Sequence, residues 1–100
     1  MNLIPKIEKE RLLLTLEDGT VAGKVNFPAV SCSLSNIEQV YVAPEFRGQG
    51  LASQLMELTI EHLQNQGRRV ILTCSYAQQW MKERPELRFM LASDIYFEKK

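Results

Sequence analysis

The sequence predicts an α/β (α+β) fold: a mixed, twisted sheet of about five strands with two main helices packed on it. Three observations predict it. Asp18-Gly19 lies between two stretches of alternating leucine and valine, the pattern of a β-hairpin. A β-branched run, Ile37 to Val42, passes through Ala43-Pro44 and the glycines Gly48 and Gly50 into an amphipathic stretch beginning at Leu51. A short apolar run, Val70 to Cys74, follows it, so strand, helix and strand read as a parallel crossover.

Each element follows in order. If Asp18-Gly19 forms a two-residue type I′ turn, Glu17 faces Thr20, Leu16 faces Val21, Leu14 faces Gly23 and Leu12 faces Val25. Leu12, Leu14, Leu16, Val21 and Val25 then share the buried face, and Leu13, Thr15, Ala22 and Lys24 form a mixed outer one. Pro28 ends the second strand because it has no N–H for a ladder. Ala29 to Leu34 reads as a weak third strand closed by a Ser35-Asn36 turn, and Ile37 to Val42 as the fourth. From Leu51 the apolar arc is Leu51, Ala52, Leu55, Met56, Thr59, Ile60 and Leu63, with Gln54, Glu57, Glu61 and Gln64 opposite. Gly67 suits the position just past a helix end, so the helix stops near Gln66. Val70 to Cys74 suits a central strand covered on both faces. Ser75 and Gln78 have the spacing of a capping box, which starts a second helix running to Arg84 before Pro85. The tail from Leu87 carries Phe89, Met90, Leu91, Ile95, Tyr96 and Phe97 without a clean period. It reads as helix or loop, and it serves either as a homodimer face or to complete its own core.

Composition narrows the function. The chain has 100 residues, with 12 Lys+Arg against 12 Asp+Glu. That length suits one domain, residues 1–100. The zero net charge argues against a nucleic-acid partner. No run approaches the roughly 20 apolar residues of a membrane span, and Met1 to Lys9 lacks the apolar segment of a secretory signal. The isolated Cys32 and Cys74 suggest a reduced, cytoplasmic protein. With the single His62 they show no metal-ligand spacing, so no metal is expected.

The chemistry concentrates between Val40 and Ala52. There a strand ends, the chain turns through Arg47-Gly48-Gln49-Gly50, and a helix begins. The first N–H groups of a helix lack internal partners, and its dipole adds positive charge at the same end. Glycines let a bulky anion approach the backbone, and Arg47 adds a full charge with a forked donor. Together these describe a phosphate cradle. A Walker A loop is excluded because no Gly-Lys-Ser/Thr closes the turn. A dinucleotide fingerprint fits poorly, since Ser53 stands where a third Gly or Ala belongs and Val70 to Cys74 holds no acid.

Val40-Tyr-Val-Ala-Pro-Glu-Phe-Arg-Gly-Gln-Gly-Leu-Ala52 resembles the acetyl-CoA signature of the GNAT acetyltransferase superfamily. Its core pattern, Arg/Gln-x-x-Gly-x-Gly/Ala, is met by Arg47, Gly50 and Ala52. The length, with Leu72-Thr-Cys-Ser-Tyr76 and Lys82-Glu-Arg-Pro85, resembles the family's small branch, which lacks helices between the first two strands. The resemblance implies an acetyl-CoA-dependent N-acetyltransferase acting on a small-molecule or peptide amine, with acetyl-CoA as co-substrate. It implies that the amides of Arg47, Gly48, Gln49, Gly50, Leu51 and Ala52 hold the CoA pyrophosphate. The pantetheine arm would pair with Val40 and Val42, between the fourth strand and a splayed Val70–Cys74, and the Val42 amide would polarise the acetyl carbonyl.

For catalysis the resemblance offers three residues. Cys74 would accept the acetyl group or donate a proton, as against packing as a small hydrophobe. Tyr76 would protonate the departing thiolate, as against packing. Glu38, taken to share a strand face with Val40 and Val42, would act as base through water, as against lying exposed. Trp80, His62 and Cys32 read as structural. Arg68 and Arg69 either meet the CoA 3′-phosphate or stand solvated. The small branch often reads His-Thr-Glu-Val where this chain has Gln39-Val40-Tyr41-Val42. The competing reading is a non-catalytic CoA-binding or interaction module.

Overall fold

The structure, a computed structural model, describes residues 3–92. Seven strands and two α-helices occur among them: β1 (Ile4–Glu8), β2 (Arg11–Thr15), β3 (Val21–Asn26), β4 (Ala29–Ser31), β5 (Leu34–Ile37), β6 (Gln39–Val42), α1 (Leu51–Asn65), β7 (Arg69–Leu72) and α2 (Ser75–Lys82). Short 3-10 turns cover Pro44–Phe46 and Pro85–Met90. The strands form two sheets, β1-β2-β3-β6 and β4-β5-β7, rather than one sheet of about five.

Sequence patterning missed β1. It pairs antiparallel with β2 from Ile4 opposite Thr15 to Glu8 opposite Arg11, and its side chains are largely exposed. Pro5 and Lys6 on an outer strand discourage pairing with another chain, and they also hide the strand from a search for alternation.

The hairpin keeps the expected register at its base, with Leu12 opposite Val25 and Leu14 opposite Gly23. Nearer the turn it differs. The Leu16 carbonyl accepts from Gly19 N–H at 2.9 Å, and Leu16 N–H donates to the Thr20 carbonyl at 2.8 Å. A type I′ turn needs positive φ at both central residues, but here only Gly19 has it, at 93°. The loop is therefore three residues, Glu17 to Gly19, and the register shifts after Leu14. Thr15 now faces Val21, which joins Leu13, Lys24 and Tyr41 on the outer face, while Ala22 is fully buried.

The next strand also divides differently. The turn falls at Cys32-Ser33, and Ser35 lies inside β5 with its hydroxyl accepting from Arg68 Nε at 2.8 Å. The same guanidinium donates to the carbonyls of Ser31, Cys32 and Leu34 at 2.7–2.8 Å. Arg68 thus ties the β4–β5 turn to the end of α1 instead of standing solvated or meeting a phosphate.

Glu38 then interrupts what the sequence presents as one strand. Before it, β5 runs parallel to β7, from Leu34 opposite Arg69 to Ile37 opposite Leu72. After it, β6 runs antiparallel to β3, from Asn26 opposite Gln39 to Gly23 opposite Val42. The last link between the halves is the Ile37 carbonyl, which accepts from Thr73 and Cys74 N–H at 3.2 and 3.3 Å. Beyond it β6 and β7 share no ladder, so the two sheets part as the splayed-strand expectation required.

Helix α1 matches its expected span and ends at Gly67 with φ 70°. It packs across β2, β3 and β6. Contact is close because position 23 has no side chain: a Cβ there would lie 2.8 Å from Leu55 Cδ1 and 2.9 Å from the Tyr41 carbonyl oxygen. Met90 and Leu91 are buried, and Leu91 bridges to Val70, so this part of the tail completes the chain's own core. Phe89 is 52% exposed. Ile95, Tyr96 and Phe97 lie outside the described residues. Among the described residues no helix is long and apolar enough to cross a membrane.

Candidate active site

The loop between β6 and α1 is held by its own first turn. Phe46 is buried, its N–H donates to the Ala43 carbonyl at 2.9 Å, and Arg47 N–H donates to the Pro44 carbonyl at 3.3 Å. The expected run of free amides therefore starts at Gly48 rather than Arg47. Gly48 and Gly50 have φ of 81° and 79°, a left-handed conformation that costs other residues roughly 1–2 kcal/mol. From Gly48 onward, the first backbone amide with a carbonyl partner is Gln54, which donates to Gly50 at 3.2 Å. The amides of residues 48–53 are consequently open to a ligand, and the dipole of a 15-residue helix stands behind them.

The second wall is β6. Ala43 N–H bonds the Ala22 carbonyl at 2.9 Å, and antiparallel pairing alternates inward- and outward-facing residues. Counting back from Ala43, Tyr41 faces β3, so the main-chain groups of Val40 and Val42 face the parted side. The Val42 carbonyl confirms that direction, since it accepts from Arg47 Nε at 2.9 Å. The arginine thus bridges the strand end and the loop.

These walls enclose a cleft of about 400 Å³. It is lined by Val40, Val42, Arg47, Gly48, Gly50, Leu51 and Ala52, all expected, with Gln49 outside the lining. Tyr41, Phe46, Ser53 and Tyr76 complete it.

Of the three catalytic candidates, only Tyr76 lines the cleft. It is the second residue of α2 and 39% exposed. Burial raises its phenol above the ordinary tyrosine value; Arg84 opposes that shift, while Glu83 and Cys74 add to it. At neutral pH it therefore holds its proton, as a donor must.

Cys74 is half-buried against the core, at the N-cap of α2 and two residues past the end of β7. Its side chain makes no capping bond, and the expected Ser75–Gln78 box does not form. Ser75 is already helical, and the Gln78 amide instead donates to the Leu72 carbonyl at 2.8 Å. Glu38 is exposed and lines a separate hollow with Glu8, Glu10, Asn26 and Pro28. The expectation that it shares a face with Val40 and Val42 assumed a continuous strand, and the interruption at Glu38 breaks the alternation. His62 is half-buried against Phe27, with ring centroids 5.9 Å apart, as its structural reading requires.

Two contributors escaped sequence reasoning. The buried Trp80 donates its indole N–H to Ser53 Oγ at 2.9 Å. Arg84 lies with its guanidinium carbon 4.1 Å from the Trp80 ring centroid and donates to the Trp80 carbonyl at 3.1 Å and to Ser53 Oγ at 3.4 Å. The available signal was the four-residue spacing of Tyr76 and Trp80, which sets them along one face of α2, whereas Arg84 lies two residues past the end of that helix, where no helical period could place it.

A sequence profile described as GCN5-related N-acetyl-transferase matches residues 11–90. The chain belongs to the GCN5-related N-acetyltransferase family. An uncharacterized N-acetyltransferase of Methanocaldococcus jannaschii is 35% identical over an alignment that takes in 55% of this chain and 30% of that protein. The chain thus spans about 30% of the length of that curated relative. Among solved structures, a GCN5-like protein from Staphylococcus aureus superposes with a TM-score of 0.74 at 20% identity, covering 92% of this chain and 90% of its own. The family N-acetyltransferase YhbS from Escherichia coli, solved in complex with CoA, gives 0.57 at 28% identity over 62% of this chain and 38% of its own. A GNAT family acetyltransferase from Elizabethkingia anophelis, solved with acetyl-CoA bound, gives 0.59 at 18% identity over 75% and 51%.

Proposed function

We propose that this protein transfers an acetyl group from acetyl-CoA to the nitrogen of a small-molecule or peptide amine. The observation that carries the reading is the run of unpartnered amides at residues 48–53, which, Gln49 apart, belong to residues lining the same cleft as β6 and the Tyr76 phenol. The CoA complex of the 28%-identical Escherichia coli protein adds support. The site fits the ligand: an anion-seeking helix end suits a pyrophosphate, and an unpaired strand edge suits the amide-bearing arm.

Acetyl-CoA supplies an acetyl group activated as a thioester. The amides of Gly48, Gln49, Gly50, Leu51 and Ala52 bind the pyrophosphate, with Arg47 adding its charge. Val40 and Val42 hold the arm through their main chain, and Val42 N–H polarises the acetyl carbonyl. Tyr76 keeps its proton until sulfur departs and then gives it up. The attacking amine must be neutral. Among the described residues no carboxylate or imidazole lines the cleft, so the amine's proton goes to water.

That missing base also favours the second reading, a CoA-binding module without turnover. Titration calorimetry with CoA, joined to thiol release from acetyl-CoA across an amine panel, separates the two. Binding with amine-dependent release supports transfer. Binding without release across the panel leaves the module, and no binding sinks both.

A further inference from the structure

Helix α1 packs across one face of the β1-β2-β3-β6 sheet. The opposite face carries a second hollow, of about 520 Å³, lined by Arg11, Leu13, Val21, Lys24, Gln39 and Tyr41. The ladder sets their places. Leu13 faces Lys24 and Lys24 faces Tyr41, so these three stand in one row across β2, β3 and β6. Arg11 lies opposite Asn26, which makes it a diagonal neighbour of Lys24 on the same face, about 7–8 Å away. The polar groups gathered here are donors in need of acceptors. Glu8 takes the Arg11 Nε, but among the described residues the Arg11 terminal nitrogens, the Lys24 ammonium and the Tyr41 hydroxyl meet no acceptor. Gln39 already accepts from Asn26 through its Oε1, which leaves its N–H groups to donate. No carboxylate lines the hollow, and Lys24 is half-buried, where a cation without a counter-charge draws an anion more strongly than in open water. The apolar lining is Leu13, which is buried, and Val21, which is 37% exposed. Tyr41 also lines the cleft, so the two spaces adjoin through it.

We propose that this outer-face hollow seats the acceptor, and that the acceptor is a small amine of the amino-acid type, carrying a carboxylate. The inference deepens the acetyl-transfer reading and rests on it. Lys24 and the terminal nitrogens of Arg11 hold the carboxylate through charge-assisted hydrogen bonds, and Tyr41 Oη donates beside them. The apolar body of the acceptor lies on Leu13 and Val21, and its amine reaches past Tyr41 toward the acetyl group in the cleft. A polycationic amine is turned away, because two cations and no acid await it. The volume suits a small molecule, since ligand pockets run from about 300 to 1,000 Å³.

The test compares leucine and phenylalanine with their carboxamides in thiol release from acetyl-CoA. The carboxamide's amine is the weaker base and more of it is neutral, so a preference for the acid comes from the carboxylate. The acids are expected to give a kcat/KM roughly tenfold higher or more. Lys24→Met is expected to remove most of that preference by raising KM for the acid, and Lys24→Arg to keep it. A ratio near one in the parent, or a ratio that survives both Lys24→Met and Arg11→Met, overturns the proposal. So does faster release with spermidine or with an acidic peptide than with either amino acid. If Lys24→Met does not fold, Arg11→Met reads the same ratio. A second measurement needs no turnover. In heteronuclear NMR, N-acetylphenylalanine, the expected product, should move the amide signals of Leu13, Lys24 and Tyr41, and N-acetylphenylalaninamide should leave them in place. Unmoved signals with the acid overturn the hollow as a carboxylate site. Failure of the chain to bind CoA overturns the proposed function, while the product titration, which needs no CoA, still decides whether the hollow takes a carboxylate.

Discussion

Trp80 reaches across from α2 to Ser53, in the first turn of α1, and donates its indole N–H to the serine hydroxyl at 2.9 Å. The bond joins the helix that carries Tyr76 to the helix end that offers its amides. Anything that seats an anion on those amides should therefore be felt at the indole.

Trp80 is the single tryptophan of the chain, so its fluorescence is a reporter. Adding CoA is expected to shift or quench it saturably. Ser53→Ala should cost about 1 kcal/mol of stability in denaturant melts, because it leaves a buried indole N–H without its partner, and should weaken the fluorescence response. A full response in Ser53→Ala would show that the bond does not couple the two helices.

Arg47 joins the loop to the Val42 carbonyl and carries charge into the cleft. Arg47→Ala is expected to weaken CoA binding by roughly tenfold or more, since hydrogen bonds to charged groups are worth about 1.5–3 kcal/mol. Arg47→Lys should recover part of that loss but not all, because a lysine cannot supply the fork. Calorimetry reads both, and equal affinities in all three proteins would remove Arg47 from the site.

Gly50 separates strain from crowding. No atom lies within 4 Å of a Cβ built there, so only its φ of 79° resists substitution. Gly50→Val should lose about 1–2 kcal/mol of stability. Gly50→Asn should lose less, because asparagine visits that region more readily. Urea midpoints that rank the two the other way would contradict the conformational explanation.

Gly23 poses the opposite case, with ample φ freedom but no room. Gly23→Ala drives a methyl into Leu55 and the Tyr41 carbonyl, and overpacking of this kind costs about 1–3 kcal/mol. Combining it with Leu55→Val should return part of the loss, because Leu55 Cδ1 is the side-chain atom that clashes. Additive losses in the double variant would mean that the Tyr41 backbone, not Leu55, sets the limit.

Tyr76 should reveal itself through pH. Its folded-state phenol is raised by burial, so it favours the folded state fully below the unfolded tyrosine value, near pH 10. That contribution is lost as pH climbs from there through the raised folded value. Tyr76→Phe should flatten this part of the fall in thermal midpoint, preserve CoA binding, and slow thiol release by roughly a hundredfold. Unchanged release would return the proton to Cys74 or to water.

Local rules account for much of this protein. The helix from Leu51, its end at Gly67, the base of the Leu12–Val25 hairpin and the glycine-opened loop could all be read directly. In each case a turn residue or a 3.6-residue period decides the outcome within a few neighbours. The open amides of the loop were legible for the same reason, because free amides at a helix start are a property of the backbone itself.

The structure decided what depends on partners distant in sequence. Whether Ile37 to Val42 is one strand or two rests on β5 pairing with β7 while β6 pairs with β3, and Glu38 is turned out of the cleft by that division. Arg68 is claimed by a hairpin more than thirty residues earlier, and Arg84 by a serine 31 positions away. Such assignments follow from which groups burial leaves in need of a hydrogen bond, and that need arises only once the sheets and helices have come together.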